Sequence, residues 1–222
     1  MRDPATTSLP LFPLNTVLFP GMLLPLHLFE ERYLRLLQER ATRDPIFGVV
    51  KTRHGREVGD QPEIHDIGTA ARLLMLNRLA DGSCDIVVVG VDRFTVLDQD
   101  WSNGYLLATV GWLRDDVVPD EVAADVHAAL DAFERFLVAV EEVAGQSIVR
   151  RDIGQDPLTV GYAIAASLQI DSRLLQRLLE APTPRQRLND LIGILRHERR
   201  LLQQTLAGGT TLSHAGSGFL PN

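Results

Sequence analysis

A single cysteine, Cys84, leaves no partner for an internal disulfide, and that usage fits a reducing compartment. Lysine is equally scarce. Lys51 is the only one, and arginine supplies the rest of the positive charge. There is no basic excess: the net charge is −7 and the pI about 5.3. Nothing in that balance draws the chain to phosphate backbones or anionic lipid. Long hydrophobic runs are missing too. The richest apolar stretch is broken by Pro20, Gly21 and Pro25, and no run reaches membrane-spanning length. Met1-Arg2-Asp3-Pro4 leads into no apolar signal core. A soluble cytoplasmic protein, with no membrane among its partners, is the expectation. The six histidines (27, 54, 65, 127, 197 and 214) include no i, i+4 pair, and no second cysteine stands by to help them. Neither a metal nor any other cofactor is expected.

What is present is ordinary globular material, 45% apolar and 23% charged over 222 residues. A chain this long buries about 70% of its unfolded surface and needs no staples. Its opening is punctuated by proline: Leu9-Pro10-Leu11-Phe12-Pro13-Leu14, then Val17-Leu18-Phe19-Pro20-Gly21-Met22, then Leu23-Leu24-Pro25-Leu26-His27-Leu28. Proline cannot donate to a ladder, so these pieces read as short edge or rim strands. The period then changes, and Tyr33, Leu34, Leu36 and Leu37 predict an amphipathic helix from about Phe29 to Thr42. Ile46 to Lys51 reads as a buried strand running into a polar loop, Thr52 to Pro62. From Glu63 to Thr109 the pattern is β, with a hairpin turn at Ala80-Asp81-Gly82-Ser83 and another turn at Trp101 to Tyr105. Short strands, regular turns and one early helix predict a small barrel with a helix over one opening.

Composition shifts at Arg114-Asp115-Asp116. Pro119 suits a first helical turn, and Val122, Val126, Leu130, Phe133, Leu137, Val140 and Ala144 step by three and four until Gly145. Asp156-Pro157 opens a helical segment to Leu168, Asp171 caps another, and Thr183-Pro184-Arg185-Gln186 is a capping box before a last helix. The expected organisation is α+β: a β-barrel unit over 8–117, a four-helix unit over 118–206, and a flexible tail over 207–222.

The segment Leu11-Phe12-Pro13-Leu14 … Val17-Leu18-Phe19-Pro20-Gly21 … Pro25-Leu26-His27-Leu28-Phe29-Glu30 … Arg32-Tyr33 resembles the opening of the N-terminal domain of Lon proteases. Gly90-Val91-Asp92-Arg93-Phe94 looks like that family's Gly-x-x-Arg-Phe hairpin. Gln176-Arg177-Leu178-Leu179-Glu180, Arg187-Leu188 and Leu195 … Glu198 look like its terminal helices. The resemblance covers about 8–206 and implies a PUA-like β-barrel followed by a helical bundle. Lon enzymes couple an ATPase to a Ser-Lys protease, and both chemistries depend on a lysine. A P-loop needs Gly-Lys-Ser/Thr, whereas Lys51 follows Val50 and precedes Thr52. A Ser-Lys dyad could use only that same lysine. The resemblance therefore implies the recognition domain without the machine, a protein that is not an enzyme.

Two surfaces compete for the binding role. The turn around Leu18, Phe19, Met22 and Leu23 places large apolar side chains where turns usually carry polar ones. Either they fold back onto the first helix or they form a solvent-facing patch that receives apolar segments of a client. The crevice between barrel and helices is the other candidate. A basic group, Lys51, Arg53 and Arg56 with His54 beside them, could contact an anion or RNA. Glu57, Asp60 and Glu63 follow at once, however, and no aromatic interleaves for stacking, so nucleic acid is not the expected partner. The leading reading is a Lon-type substrate-recognition protein for unfolded or client polypeptide, delivering it to a protease or chaperone. An RNA-binding PUA-like module is the alternative.

Overall fold

The chain was analysed as a computed structural model, which describes residues 6–40, 46–54, 61–115 and 119–207. Asp81 and Gly82 set the first hairpin. Gly82 takes a φ of 89°, and the Asp81 carboxylate accepts from the Ser83 amide at 3.0 Å and its hydroxyl at 2.6 Å. These two bonds hold the Asp81 carboxyl below its usual range. The turn joins β5 (Ile67–Arg78) to β6 (Cys84–Asp100). β6 is one strand of 17 residues. Its first half pairs with β2 (Leu23–Leu28) on one side and β5 on the other, and its second half passes from β5 to β7 (Leu106–Leu113).

β1 (Thr6–Leu14) pairs antiparallel with β7 through Thr6 to Leu11, then parallel with β3 (Ile46–His54) through Leu11 to Leu14. The pairings β1–β7–β6–β5–β3–β1 thus close a ring of five strands. Pro10 and Pro13 sit in a strand flanked on both sides, not on an edge, but each lies in a stretch with only one ladder. That hand-over at Leu11 is how the ring tolerates two residues without an N–H. β4 (Glu63–Ile64) pairs with the end of β3.

Pro25 is the proline that does lie on an edge, because β2 pairs with β6 alone. The Gly90 amide donates to Met22 O at 2.9 Å, which puts residues 24, 26 and 28 at the bonded positions. Leu23, Pro25 and His27 therefore turn their backbone polar groups, where they have them, to the open side.

The first helix, α1 (Glu31–Arg40), begins two residues after the expected Phe29; Thr42, its expected end, lies outside the described residues. Tyr33, Leu36 and Leu37 bury its inner face against Phe12, Phe47 and Ile86, and Phe12 stacks on Tyr33 with ring centroids 4.3 Å apart. Inside the ring lies a second core of Leu11, Val50, Phe94, Leu106 and Val110.

The second half holds α2 (Pro119–Ala144), α3 (Val160–Ala166), α4 (Ser172–Glu180) and α5 (Pro184–Ala207). Asp171 caps α4 through the Arg173 amide at 2.8 Å, and Thr183 caps α5 through the Gln186 amide at 3.1 Å. Leu158–Leu168 shrinks to the seven residues of α3. The helices share one core, Val126, Phe133, Ile164, Leu178, Leu188 and Leu191 among its members, and Val17 and Phe19 from the strand half enter it. The expected tail lies outside the described residues apart from Ala207, where α5 ends.

Candidate functional site

Two of the turn residues read as a binding surface are core. Leu18 and Phe19 are each 1% exposed. Leu18 packs beneath α1, and Phe19 enters the helical core with its ring centroid 6.2 Å from that of Tyr162. Successive side chains of an extended segment point opposite ways, so Val17-Leu18-Phe19, at the seam of the two cores, feeds both. Met22 is half-buried against both cores, and only Leu23 is open, at 59%.

Leu23 belongs instead to a wider surface. The register Leu23↔Val89↔Arg72, Pro25↔Val87↔Met75 and His27↔Asp85↔Asn77 sets these residues in three rows on the outer face of β2, β6 and β5. The first two rows are apolar except at Arg72. Met75 is 57% exposed, Leu74 is open beside it, and Val87 and Val89 form the half-buried floor. Phe29, exposed just beyond β2, extends the surface, with its ring 6.1 Å from that of His27. The third row is polar, closed by a 2.7 Å hydrogen bond between His27 Nδ1 and Asp85 Oδ1. Sequence reading missed Leu74, Met75 and Val89. The available signal was Leu73-Leu74-Met75-Leu76, four apolar residues in one strand, which needs either two buried faces or an apolar outer one. The register shift between Leu73 and Met75 is what puts Leu74 and Met75 both in solvent.

The second surface is the seam between strands and helices. Arg93 on β6 is 3% exposed and Arg187 on α5 is 1% exposed. Arg93 Nη1 donates to the carbonyls of Leu179 and Ala181 at the end of α4, at 2.6 and 2.8 Å. Its Nη2 donates to Asp115 Oδ1 at 2.6 Å. Arg187 Nη2 reaches the same oxygen at 3.2 Å, its Nε donates to Leu178 O at 3.3 Å, and its guanidinium lies 3.9 Å over the Tyr162 ring. The Tyr162 hydroxyl donates to Asp115 Oδ2 at 2.5 Å. Burial pushes the Tyr162 phenol well above its usual value and Arg187 below its own. A guanidinium remains charged regardless. This knot ties β6, the segment after β7 at Asp115, α3, α4 and α5 together.

Beside the knot opens a cleft of about 650 Å³, with apolar walls from Pro20, Val91, Trp112, Leu113 and Leu158. Arg93, Asp115 and Tyr162 from the knot contribute to its lining, as do Asp92, Arg114 and Thr159. The expected crevice between strands and helices is therefore a real hollow.

Of the basic group, Lys51 and Arg53 are described, and each has a partner of its own. Lys51 and Arg53 lie on β3, which outruns its expected end because β4 pairs with it. Lys51 Nζ donates to Thr52 O at 3.3 Å, and Arg53 pairs with Asp66 at 3.0 Å. Arg56 lies outside the described residues. His65 bonds Glu180 at 2.9 Å, and Cys84 is buried. Among the described residues no three His, Cys, Asp or Glu side chains cluster as metal ligands, and no helix is long and apolar enough to cross a membrane.

Comparison with known proteins covers most of the chain. Residues 8–197 match the family described as the ATP-dependent protease La (LON) substrate-binding domain. The chain is 26% identical over 199 residues to the Lon protease of Brevibacillus choshinensis, covering 88% of this chain and 26% of that one. It is 30% identical over 197 residues to the Lon protease of Roseiflexus castenholzii, covering 87% and 24%. It spans about a quarter of the length of these curated relatives. Among solved structures, a Lon N-terminal domain protein from Xanthomonas campestris superposes with a TM-score of 0.62 at 27% identity, covering 84% of this chain and 98% of that one. The N-terminal domain of a Mycobacterium avium complex Lon protease shares the fold, with a TM-score of 0.62 at 19% identity, covering 86% and 98%.

Proposed function

Because this chain belongs to the Lon substrate-binding domain family, we propose that it is a non-catalytic protein that holds exposed apolar segments of unfolded or client polypeptides. We assign the holding surface to the outer face of β2, β6 and β5, with Leu23 and Met75 as principal anchors and Met22 at its margin. The ring of strands is on this reading a PUA-like barrel, and the protein an adaptor in the cytoplasm that passes its client to a protease or chaperone. The observation that carries it is the pair of apolar rows, Leu23-Val89 and Pro25-Val87-Met75, left open on a sheet face. Such a patch marks an interaction surface, and methionine repacks against varied partners.

The magnitudes favour weak, tolerant binding. Covering Leu23, Leu74 and Met75 contributes about 1.5–3 kcal/mol each at most. Association costs about 4–15 kcal/mol in lost freedom, so these three side chains alone reach about −5 kcal/mol at best, a sub-millimolar affinity, and binding at tens of micromolar draws on Pro25, Val87, Val89 and Phe29 as well. No bond need be broken: Lys51, the one lysine, is spent on a neighbouring carbonyl.

The test is anisotropy of a labelled, permanently unfolded client. Saturable binding at tens of micromolar is expected, falling at least tenfold in the double variant Leu23→Asp, Met75→Asp with its circular dichroism unchanged. Absence of saturable binding by the wild type sinks the reading.

A further inference from the structure

Independently of the client-holding reading, we propose that the seam cleft is the docking site of this chain's own Phe219-Leu220-Pro221 segment, brought back along α5.

The cleft, about 650 Å³, has the size of hollows that enclose small apolar groups. Pro20, Val91, Trp112 and Leu113 are half-buried in its walls, and Leu158 is exposed. Hydrocarbon from both the strand and the helical side thus faces one hollow, and such a surface marks a contact. The charges favour a neutral occupant. Among the lining residues Arg93 and Arg114 balance Asp92 and Asp115. Asp115 already gives its oxygens to Arg93, Arg187 and Tyr162. A charge brought in would shed water and find no spare counter-charge.

The chain itself supplies a segment of that chemistry. Of the five stretches outside the described residues, 1–5, 41–45, 55–60 and 116–118 each contain charged residues and no aromatic. Residues 208–222 contain no Asp, Glu, Lys or Arg, and Phe219, Leu220 and Pro221 form one apolar block within them. The reach is sufficient. The Arg187 guanidinium lies 3.9 Å over the ring of Tyr162, which lines the cleft. From Arg187 the end of α5 at Ala207 is about 30 Å away along the helix. An extended chain from Ala207 to Phe219 spans up to about 40 Å, so the segment can return to the cleft. The connecting residues have a linker composition, with Gly208, Gly209, Gly216 and Gly218 and no proline. A tethered segment acts at an effective concentration of up to about millimolar, so contacts too few to hold a free peptide tightly suffice here.

The experiment uses the full 222-residue chain, which has two tryptophans. Trp101→Phe leaves Trp112, in the cleft wall, as the one indole, and acrylamide quenching reads how well it is covered. In that background the tail variant Phe219→Ser, Leu220→Ser is expected to raise the quenching constant at least twofold with circular dichroism unchanged. Leu158→Glu, an exposed position, is expected to raise it as much with the tail intact, and the combined variant no further. A peptide of residues 216–222, made as its C-terminal amide, is expected to restore protection to the tail variant at about 1 mM, but not to Leu158→Glu. Quenching unchanged by the tail variant, or effects of the tail and of Leu158→Glu that simply add, overturns the proposal. Protection that fades on hundredfold dilution also overturns it, in favour of a tail donated by a second copy.

Discussion

Replacing Gly90 by alanine tests how the strand half is tied together. A Cβ built there would lie 2.2 Å from Phe19 O, 2.9 Å from Phe19 C and 3.2 Å from Leu18 Cγ. The first two are backbone atoms, and no rotamer change moves them aside. The same glycine donates to Met22 O and accepts from the Gly21 amide, both at 2.9 Å. Relief therefore means lifting the turn off β6, which strains these two bonds and drags Leu18 and Phe19 from their cores. Overpacking costs about 1–3 kcal/mol and each bond about 0.5–1.5 kcal/mol. Alanine returns about 0.4–1 kcal/mol through the unfolded chain. The balance is a loss of about 1–5.5 kcal/mol, a large part of a usual folding stability of about 5–15 kcal/mol. Urea unfolding followed by circular dichroism measures it. Gly193 is the control: it lies inside α5 with nothing within 4 Å of a new Cβ. Alanine there is expected to stabilise by about 1 kcal/mol through helix propensity. If Gly90→Ala stays within about 1 kcal/mol of wild type, on the scale where single substitutions are ordinary, the argument from close approach is wrong.

Three more outcomes follow from the charged contacts. Asp115→Ala leaves two buried guanidiniums without their anion and is expected to destabilise by about 3–5 kcal/mol, read from the same urea curves; a loss below about 1 kcal/mol, the worth of a surface pair, refutes the knot. Hydrogen bonds from Arg150 and from the Ile148 amide hold the Glu141 carboxyl at about 2, below its ordinary 4.5. A depressed folded-state value gives stability that is present above 4.5 and lost as pH falls toward 2. Arg150→Ala is expected to move the Glu141 titration, followed by carboxyl NMR, back toward its ordinary value and to shrink that acid-side loss. Tyr162→Phe removes the donor to Asp115 Oδ2 and is expected to cost about 1.5–3 kcal/mol, the worth of a hydrogen bond to a charged group.

Local signals in the chain were legible where the physics is local. Asp81-Gly82, the Asp171 cap, the Thr183-Gln186 pair and the long apolar stripe of α2 each act within a few residues, and each stands where the sequence placed it. Phe19 could not be read that way, because its burial is decided by Tyr162 and the helices more than a hundred residues later. Arg53 looked like a loop residue because the partner that extends β3, Glu63–Ile64, lies beyond an acidic stretch. The knot was illegible for the same reason: Arg93, Asp115, Tyr162 and Arg187 come from four separate parts of the chain, and no spacing rule links them. The apolar face lay half in view, since Leu23 was named while Met75 needed the register to reach it.

Pro25 on the open side of β2 has a consequence for how a client is read. With the Pro25 amide missing between Leu23 and His27, the edge offers a visiting backbone only a broken ladder, and on the proposed reading the visitor is sensed mainly as hydrocarbon. A recogniser of that kind is nearly blind to handedness, so a client segment synthesised from mirror-image amino acids should be held about as well as its natural counterpart. For the client-holding role proposed above, that indifference is an asset.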